Sequence, residues 1–389
     1  MDSKRIQSID IVRGMVMIIM PLDHLRDLLH IDSLTQSPTN LSTTTVLLFF
    51  SRWITHLCAP VFFFLAGTSA YRLYLRQNDL TQTRIFLVKR GLFLIAIEFI
   101  VVNTILYFDP GFHTLLFEVI AAIGLGFILL ALVIKWDIKV ITALSLIIIF
   151  CHGLFPLIAV DDRSILKSIL SPWFNLSVFP LSTKNTLVIA YPPIPWFGIM
   201  LAGFASGRLF DLAESVRKKT LLSVGAVSIG LFLLLRLLNL YGDPSVWTSQ
   251  KNNLFTLLSF LNVSKYPPSL LFCLVTLGIM FIMLATAEKM TTSIGKVLTV
   301  YGSVPLFYFI LHFLIIHVIL IAILFLQGFS WSAFEFATGT FGRPKILPSG
   351  IELKYVLLLW VILVPLLYKP CIWFKKYKQQ SQRTWVKYF

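Results

Sequence analysis

The chain alternates between long apolar runs and short polar segments. Apolar runs of about 20 residues, the length a helix needs to cross a bilayer, recur from one end to the other. The runs are continuous instead of alternating in polarity, which argues against a transmembrane β-barrel. The pattern predicts an all-α, polytopic integral membrane protein of about ten transmembrane helices. The predicted spans are 8–29, 53–75, 85–107, 114–134, 138–160, 192–211, 220–240, 268–287, 297–326 and 355–374, the ninth tilted or broken at Pro305.

Composition supports the same class. Of the 389 residues, 57% are hydrophobic and 13% charged, whereas soluble domains are about 45–50% apolar and about 25% charged. A soluble globular enzyme and a disordered chain are therefore excluded. The net charge of +15 fits anchoring charge beside the lipid bilayer, and its distribution over the loops predicts that both termini are cytoplasmic. Because no basic domain is interleaved with aromatic residues, we expect no nucleic-acid partner.

The positions of the four cysteines do not suggest a disulfide framework or a metal site. Each lies in or beside an apolar run, and no two have the spacing of metal ligands. They are interpreted as small core residues, and we expect neither disulfides nor a metal site. They are Cys58, Cys151, Cys273 and Cys371.

Polar residues concentrate in the first predicted helix, where a charge costs at least about 2.5–3.5 kcal/mol on insertion scales. They are Asp10, Arg13, Asp23, His24, Arg26 and Asp27. The 11-residue separation of Arg13 and His24 places them about 20° from one face and about 16 Å apart along the axis. Asp10 is three residues from Arg13 and can pair with it, and Asp27 is three residues past His24 and can accept a hydrogen bond from its imidazole.

A histidine oriented by a carboxylate is a competent general base near neutral pH. The alternative is a solvated helix end with a local ion pair. Further polar side chains within or beside apolar runs could share a cavity with His24 or could be packing residues: Arg52 with His56, Tyr308 with His312, and Glu98 with Glu118. A transporter or flippase with a charged path along the first helix, and a non-catalytic scaffold, both remain open on the residues alone.

Four stretches of the chain, in order, carry a resemblance to a known family. They are 8–14 (SIDIVRG) followed by His24, 23–27 (DHLRD), 52–56 (RWITH) leading to 59–67 (APVFFFLAG), and 302–308 (GSVPLFY) with His312. Together they resemble the transmembrane acyltransferase superfamily, and are most similar to bacterial relatives of heparan-alpha-glucosaminide N-acetyltransferase.

The resemblance implies a single acyltransferase-like domain over 1–389 in a bacterial inner (plasma) membrane. It implies transfer of an acetyl group from cytosolic acetyl-CoA to an amino or hydroxyl group of a saccharide acceptor on the far side, with no metal, and it allows a homodimer. His24 would be the base, with His30 as the alternative, and Asp27 or Asp23 would orient it. The coenzyme would be held by Arg13, Arg72, Arg76 and Arg90. The substrate cavity would be lined by Asp10, Arg26, Arg52, His56, Tyr308 and His312.

Overall fold

The computed structural model describes residues 6–157, 165–336, 339–344 and 349–389. It is mostly helical. The first half of the helices comprises α1 (Gln7–Leu29), α2 (Val46–Trp53), α3 (Cys58–Gln77), α4 (Leu80–Ile97), α5 (Asn103–Tyr107), α6 (Val119–Val133), α7 (Ile138–Cys151) and α8 (Ile165–Phe174). The second half comprises α9 (Pro193–Ser206), α10 (Glu214–Leu238), α11 (Asn253–Leu261), α12 (Leu270–Ala287), α13 (Ser293–Ser303), α14 (Pro305–Leu326), α15 (Leu353–Leu366) and α16 (Tyr368–Gln380).

Several predicted spans are composed of more than one helical segment. A 3₁₀ turn, Ile54–Leu57, joins α2 to α3, and a π-helical turn, Glu98–Val102, joins α4 to α5. The ninth span is broken at Pro305, as expected, because proline lacks the N–H that would continue the helix from α13 into α14. The last residues of the fifth predicted span, 158–160, lie outside the described residues.

Within the described residues, six helical segments are long and apolar enough to cross a membrane, by length and composition. They are Val46–Gln77, Ile138–Phe155, Glu214–Leu238, Leu270–Ala287, Pro305–Leu326 and Leu353–Gln380. Charged side chains keep α1 out of this set, although it is long enough to span. The count of ten spans and the cytoplasmic termini therefore remain predictions.

The expectation of an all-α chain is wrong in one respect, because a small three-stranded sheet is present. Its strands are β1 (Thr114–Phe117), β2 (Ser177–Pro180) and β3 (Thr186–Ile189), in the order β1-β3-β2. β1 is parallel to β3, and β2 is antiparallel to β3. The fourth predicted span, 114–134, therefore begins as a strand and becomes helical only at Val119. A four-residue strand joined to an apolar helix has no apolar period of its own, so the hydropathy pattern conceals it.

Helix α1 lies in the centre of the bundle, where it contacts α3, α12, α13, α14 and α15. Its closest neighbour is α13, and glycines make that approach possible. A Cβ atom on Gly14 would overlap the backbone of Leu298, and one on Gly302 would overlap the carbonyl of Asp10. Small residues at such crossings allow helices to pack backbone against backbone. By contrast, α10 presents leucine and valine side chains outwards, for example Val227 and Leu237, as a lipid-facing surface does.

Candidate functional site

A cavity of about 570 Å³ follows α1 through the bundle. We call it the main cavity. Helix α1 lines it with Arg13, Met17, Met20, His24 and Asp27, residues spaced three or four apart and therefore on one face. From the first to the last of these the helix rises about 21 Å. The polar stripe predicted from the sequence is thus the wall of a cavity, with Arg13 towards one end and His24 towards the other.

His24 is held by a second histidine from a distant part of the chain. Its Nδ1 lies 2.6 Å from Nε2 of His312, and Nδ1 of His312 lies 2.9 Å from the carbonyl oxygen of Tyr308. A carbonyl only accepts, so Nδ1 of His312 is the donor in that bond. For two neutral imidazoles, Nε2 of His312 must then accept from Nδ1 of His24. This arrangement leaves Nε2 of His24 with its lone pair, on a side chain that lines the main cavity.

The carboxylates beside His24 have other partners. Both oxygens of Asp23 accept from the Arg52 guanidinium at 2.7 Å, and Asp23 also accepts from Arg26 and from the Thr55 hydroxyl. Asp27 accepts from Arg26 at 2.7 Å, and its side chain is 44% exposed. The predicted hydrogen bond from His24 to one of these aspartates is therefore absent from the described contacts, and His312 takes that place. Asp23 instead balances the charge of two largely buried arginines.

The small sheet brings two more side chains to the His24 end of the main cavity. Glu118 directly follows β1, and Tyr191 lies two residues after β3. Because β1 and β3 are parallel, their carboxyl ends meet at the same edge of the sheet. Both side chains line the cavity there. Glu98 secures the junction, since its carboxylate accepts from the backbone N–H of Ala121 in the first turn of α6.

The loop between α11 and α12 completes this end of the cavity with Lys265 and Tyr266. Lys265 is buried, its ammonium lies 5.0 Å from the centre of the Tyr266 ring, and no carboxylate of the described residues pairs with it. Asp243 fixes the loop by accepting from the Ser264 backbone and from the Ser269 hydroxyl. The hydroxyl of Tyr266 lies 3.5 Å from that of Tyr191.

A second space of about 350 Å³ adjoins the His24 end, and we call it the polar cavity. It shares Asp27, Lys265 and Tyr266 with the main cavity. Its remaining walls carry mainly hydroxyl, amide and cationic groups, from Ser37, Thr39, Arg52, His56, Ser245, Asn262 and Ser264. Arg52 and His56 therefore lie in the same region as His24, but they line this neighbouring space and not the main cavity.

The four arginines predicted to hold a coenzyme line one cavity. Arg13, Arg72, Arg76 and Arg90 surround a space of about 280 Å³, the arginine cavity. Arg13 and Arg90 also line the main cavity, so the two spaces are neighbours. Arg13 donates to the Ser69 hydroxyl at 3.1 Å and lies 3.5 Å from Asp10, which confirms the predicted ion pair. The Arg90 guanidinium lies 5.2 Å from the centre of the Phe127 ring, and its Nε has no hydrogen-bond partner within the described part of the chain.

Some predicted cavity residues lie behind the wall. Arg26, Tyr308 and His312 are buried and do not line any of these three spaces, and Asp10 lines only the arginine cavity. His30, the alternative base, caps the end of α1 instead: its carbonyl accepts from Arg343 at 2.7 Å. Within the described residues, no group of three or more His, Cys, Asp or Glu side chains could hold a metal ion.

Several lining residues were not predicted from the sequence. Tyr191 and Tyr266 each begin a Tyr-Pro-Pro segment, and that repeated motif was the available signal. Lys375 and Lys378 on α16 also line the main cavity, together with Tyr388 and Phe389. Nothing in their spacing distinguishes these lysines from the other basic residues of the tail.

The fold and the cavities describe a helical membrane protein with a histidine at one end of a partly enclosed cavity and arginines at the other. Comparison with protein families shows the family to which this protein belongs. The family model "Heparan-alpha-glucosaminide N-acetyltransferase, catalytic" matches residues 5–244, more than half of the chain, and the protein belongs to this family. Family membership implies acyltransferase activity in general terms. A search of curated proteins found no significant match.

Proposed function

We propose that the protein transfers an acetyl group from acetyl-CoA to an amino or hydroxyl group of a saccharide, with His24 as the general base. The observation that carries this proposal is the hydrogen-bond chain from Tyr308 through His312 to His24. It leaves Nε2 of His24 ready to accept a proton inside the main cavity. General acid–base catalysis of this kind contributes about 10²–10⁴-fold to rate.

The arginine cavity fits the charged end of the donor. Guanidinium groups form bidentate bonds with phosphate oxygens, and four arginines line this one space. A pantetheine arm is roughly half as long as the ~30 Å hydrocarbon core is thick. A donor whose phosphates sat near Arg13 and Arg90 would therefore reach along the main cavity towards His24. Bound acetyl-CoA supplies the thioester that is attacked.

The residues of the His24 end then have distinct roles. Nε2 of His24 takes the proton from the acceptor as the acceptor's nitrogen or oxygen attacks the thioester carbonyl carbon. His24 returns that proton to the thiolate that leaves when the carbon–sulfur bond breaks, so the side chain ends neutral. Lys265, buried and without a paired carboxylate among the described residues, places positive charge where the carbonyl oxygen becomes negative.

The polar cavity is the proposed acceptor site. Its hydroxyl and amide side chains, such as Thr39 and Asn262, suit a saccharide, which binds through many hydrogen bonds. It adjoins the His24 end, so an acceptor bound there would reach the base. The basic residues of α16 at the opposite end favour a cytoplasmic position for that end under the positive-inside rule. The acceptor would then enter from the far side of the membrane.

The test is acetyl-CoA binding and thiol release by purified protein in detergent, with wild type beside His24→Ala and with glucosamine as the acceptor probe. We expect both proteins to bind acetyl-CoA and only wild type to release CoA at a measurable rate. If neither well-folded protein binds acetyl-CoA, the proposal fails. Equal thiol release by both would retain the activity but remove His24 as its base.

A further inference from the structure

The end of the main cavity opposite His24 is lined by the C-terminal segment of the chain. Lys375 and Lys378 lie three residues apart on α16, on one face of the helix, and both line the cavity. After α16 the chain folds back, so that Tyr388 contacts Phe86 and Phe93. Phe86 also lines the arginine cavity. The lysines of α16 and the arginines therefore lie at the same end of the main cavity.

This end carries an excess of positive charge. The charged side chains that line it are Arg13, Arg90, Lys375 and Lys378, whereas the carboxylate side chains of the same cavity, Asp23, Asp27 and Glu118, lie at the His24 end. Lys375 is half-buried, and no carboxylate in the described part of the chain lies within ion-pair distance of it. Cations gathered at one end of a partly enclosed space favour a ligand with several negative charges.

The arginines and the α16 lysines at this end differ in chemistry, and they line different parts of it. The arginine cavity offers planar guanidinium groups, and α16 offers ammonium groups, which act as compact point charges. Coenzyme A carries two separate anionic groups on its nucleotide, a diphosphate and a 3′-phosphate monoester. A phosphate monoester carries about −1.5 to −2 charges at pH 7. Two cation sets at one end of the cavity match two anionic groups on one ligand.

We propose that Lys375 and Lys378 form a subsite for the 3′-phosphate of the coenzyme, separate from an arginine subsite for the diphosphate. The inference rests on the proposed use of acetyl-CoA. It goes beyond family membership, because both lysines lie outside the matched residues 5–244. The C-terminal segment would thus let the protein distinguish coenzyme A from the same molecule without its 3′-phosphate.

The experiment compares dissociation constants for CoA and 3′-dephospho-CoA by calorimetry in detergent. We expect the double variant Lys375→Ala/Lys378→Ala to bind CoA about 10- to 100-fold more weakly, from the loss of charge-assisted bonds. Its affinity for dephospho-CoA should stay within about twofold of wild type, since that ligand lacks the group the lysines hold. Lys376→Ala is the matched control, because Lys376 is exposed on the same helix and does not line the cavity.

The possible outcomes are distinct. Unchanged CoA affinity in the double variant, or equal weakening for both ligands, would overturn the 3′-phosphate subsite. The variant Lys375→Arg/Lys378→Arg keeps both charges and should retain most of the preference for CoA, which separates charge recognition from a folding defect. If wild type binds neither ligand, the proposed function itself fails, and that result is recognisable without any variant.

Discussion

Replacement of His312 by leucine tests the hydrogen-bond chain that supports the base. The leucine removes the acceptor that lies 2.6 Å from Nδ1 of His24. A hydrogen bond with a net free energy of about 0.5–1.5 kcal/mol favours the His24 tautomer with its proton on Nδ1 over the other tautomer by about 2- to 13-fold. At metal sites, loss of the partner that orients a metal-ligating imidazole typically costs about 10–100-fold in affinity or activity, because the ring loses its fixed orientation and basicity. We therefore expect kcat to fall by about 10–100-fold while KM for acetyl-CoA stays near the wild-type value, because His312 lines none of the three cavities described above.

The assay is thiol release from acetyl-CoA with glucosamine as the acceptor probe, compared among wild type, His312→Leu and His312→Gln. His312→Gln is the conservative variant, since its side-chain oxygen can lie near the position of Nε2 and accept from His24. It should recover most of the activity that His312→Leu loses. Wild-type turnover in His312→Leu would refute the hydrogen-bond chain as the support of the base. Equal loss in both variants, with intact folding, would show that packing at this position matters and that the acceptor atom does not.

Three further predictions concern stability, read from thermal unfolding in detergent. Asp23→Ala removes the main carboxylate partner of two largely buried arginines and should lower the free energy of unfolding by about 3–5 kcal/mol. Asp27 is 44% exposed, so Asp27→Ala should lower it by less than about 1 kcal/mol. Equal losses of stability would contradict the role of Asp23 as the main partner of these arginines. Gly302→Leu should prevent folding, because the new side chain would overlap the backbone of α1. Gly230 has open space around it, so Gly230→Leu should fold normally. A stable Gly302→Leu variant would argue against the tight crossing of α1 and α13. Burial lowers the pKa of His30, so the imidazole binds a proton more readily in the unfolded chain, and stability is lost as the pH falls below about 6.5. The unfolding midpoint of wild type should therefore drop more between about pH 7 and pH 5 than that of His30→Asn. Equal pH dependence of the two midpoints would exclude this contribution.

Features that depend on one helix could be predicted from the sequence. The shared face of Arg13 and His24 follows from the fixed period of an α-helix, whatever the helix packs against. The break at Pro305 follows from a missing N–H group, which is a property of the residue itself. Apolar runs identified the helices because a bilayer-spanning backbone must satisfy its hydrogen bonds internally.

Features that depend on contacts between distant parts of the chain could not be predicted from the sequence. The partner of His24 is 288 residues away, and only the packing of α14 against α1 brings it within 2.6 Å. Spacing suggested Asp27, because local neighbours are the only ones that a helical period can reveal. The entry of Glu118 and Tyr191 into the site depends on a parallel pairing of two four-residue strands, and such short strands leave no periodic signal.

The tight crossing of α1 and α13 bears on how the two substrates could meet. Helix α1 carries the lining stripe and is fixed along its length, by Gly14 and Gly302 at one end and by Asp23 with Arg52 towards the other. At the end of the helix, the backbone of Ile351 bonds to the residues on either side of His30: its N–H donates to the Leu29 carbonyl, and its carbonyl accepts from the Ile31 N–H. A rocking-bundle transporter needs such a helix to swing between two positions, and each swing here would break several of these contacts. In the reaction we propose, a fixed helix would instead form the wall of a stationary passage, which each reactant would enter and leave at its own end.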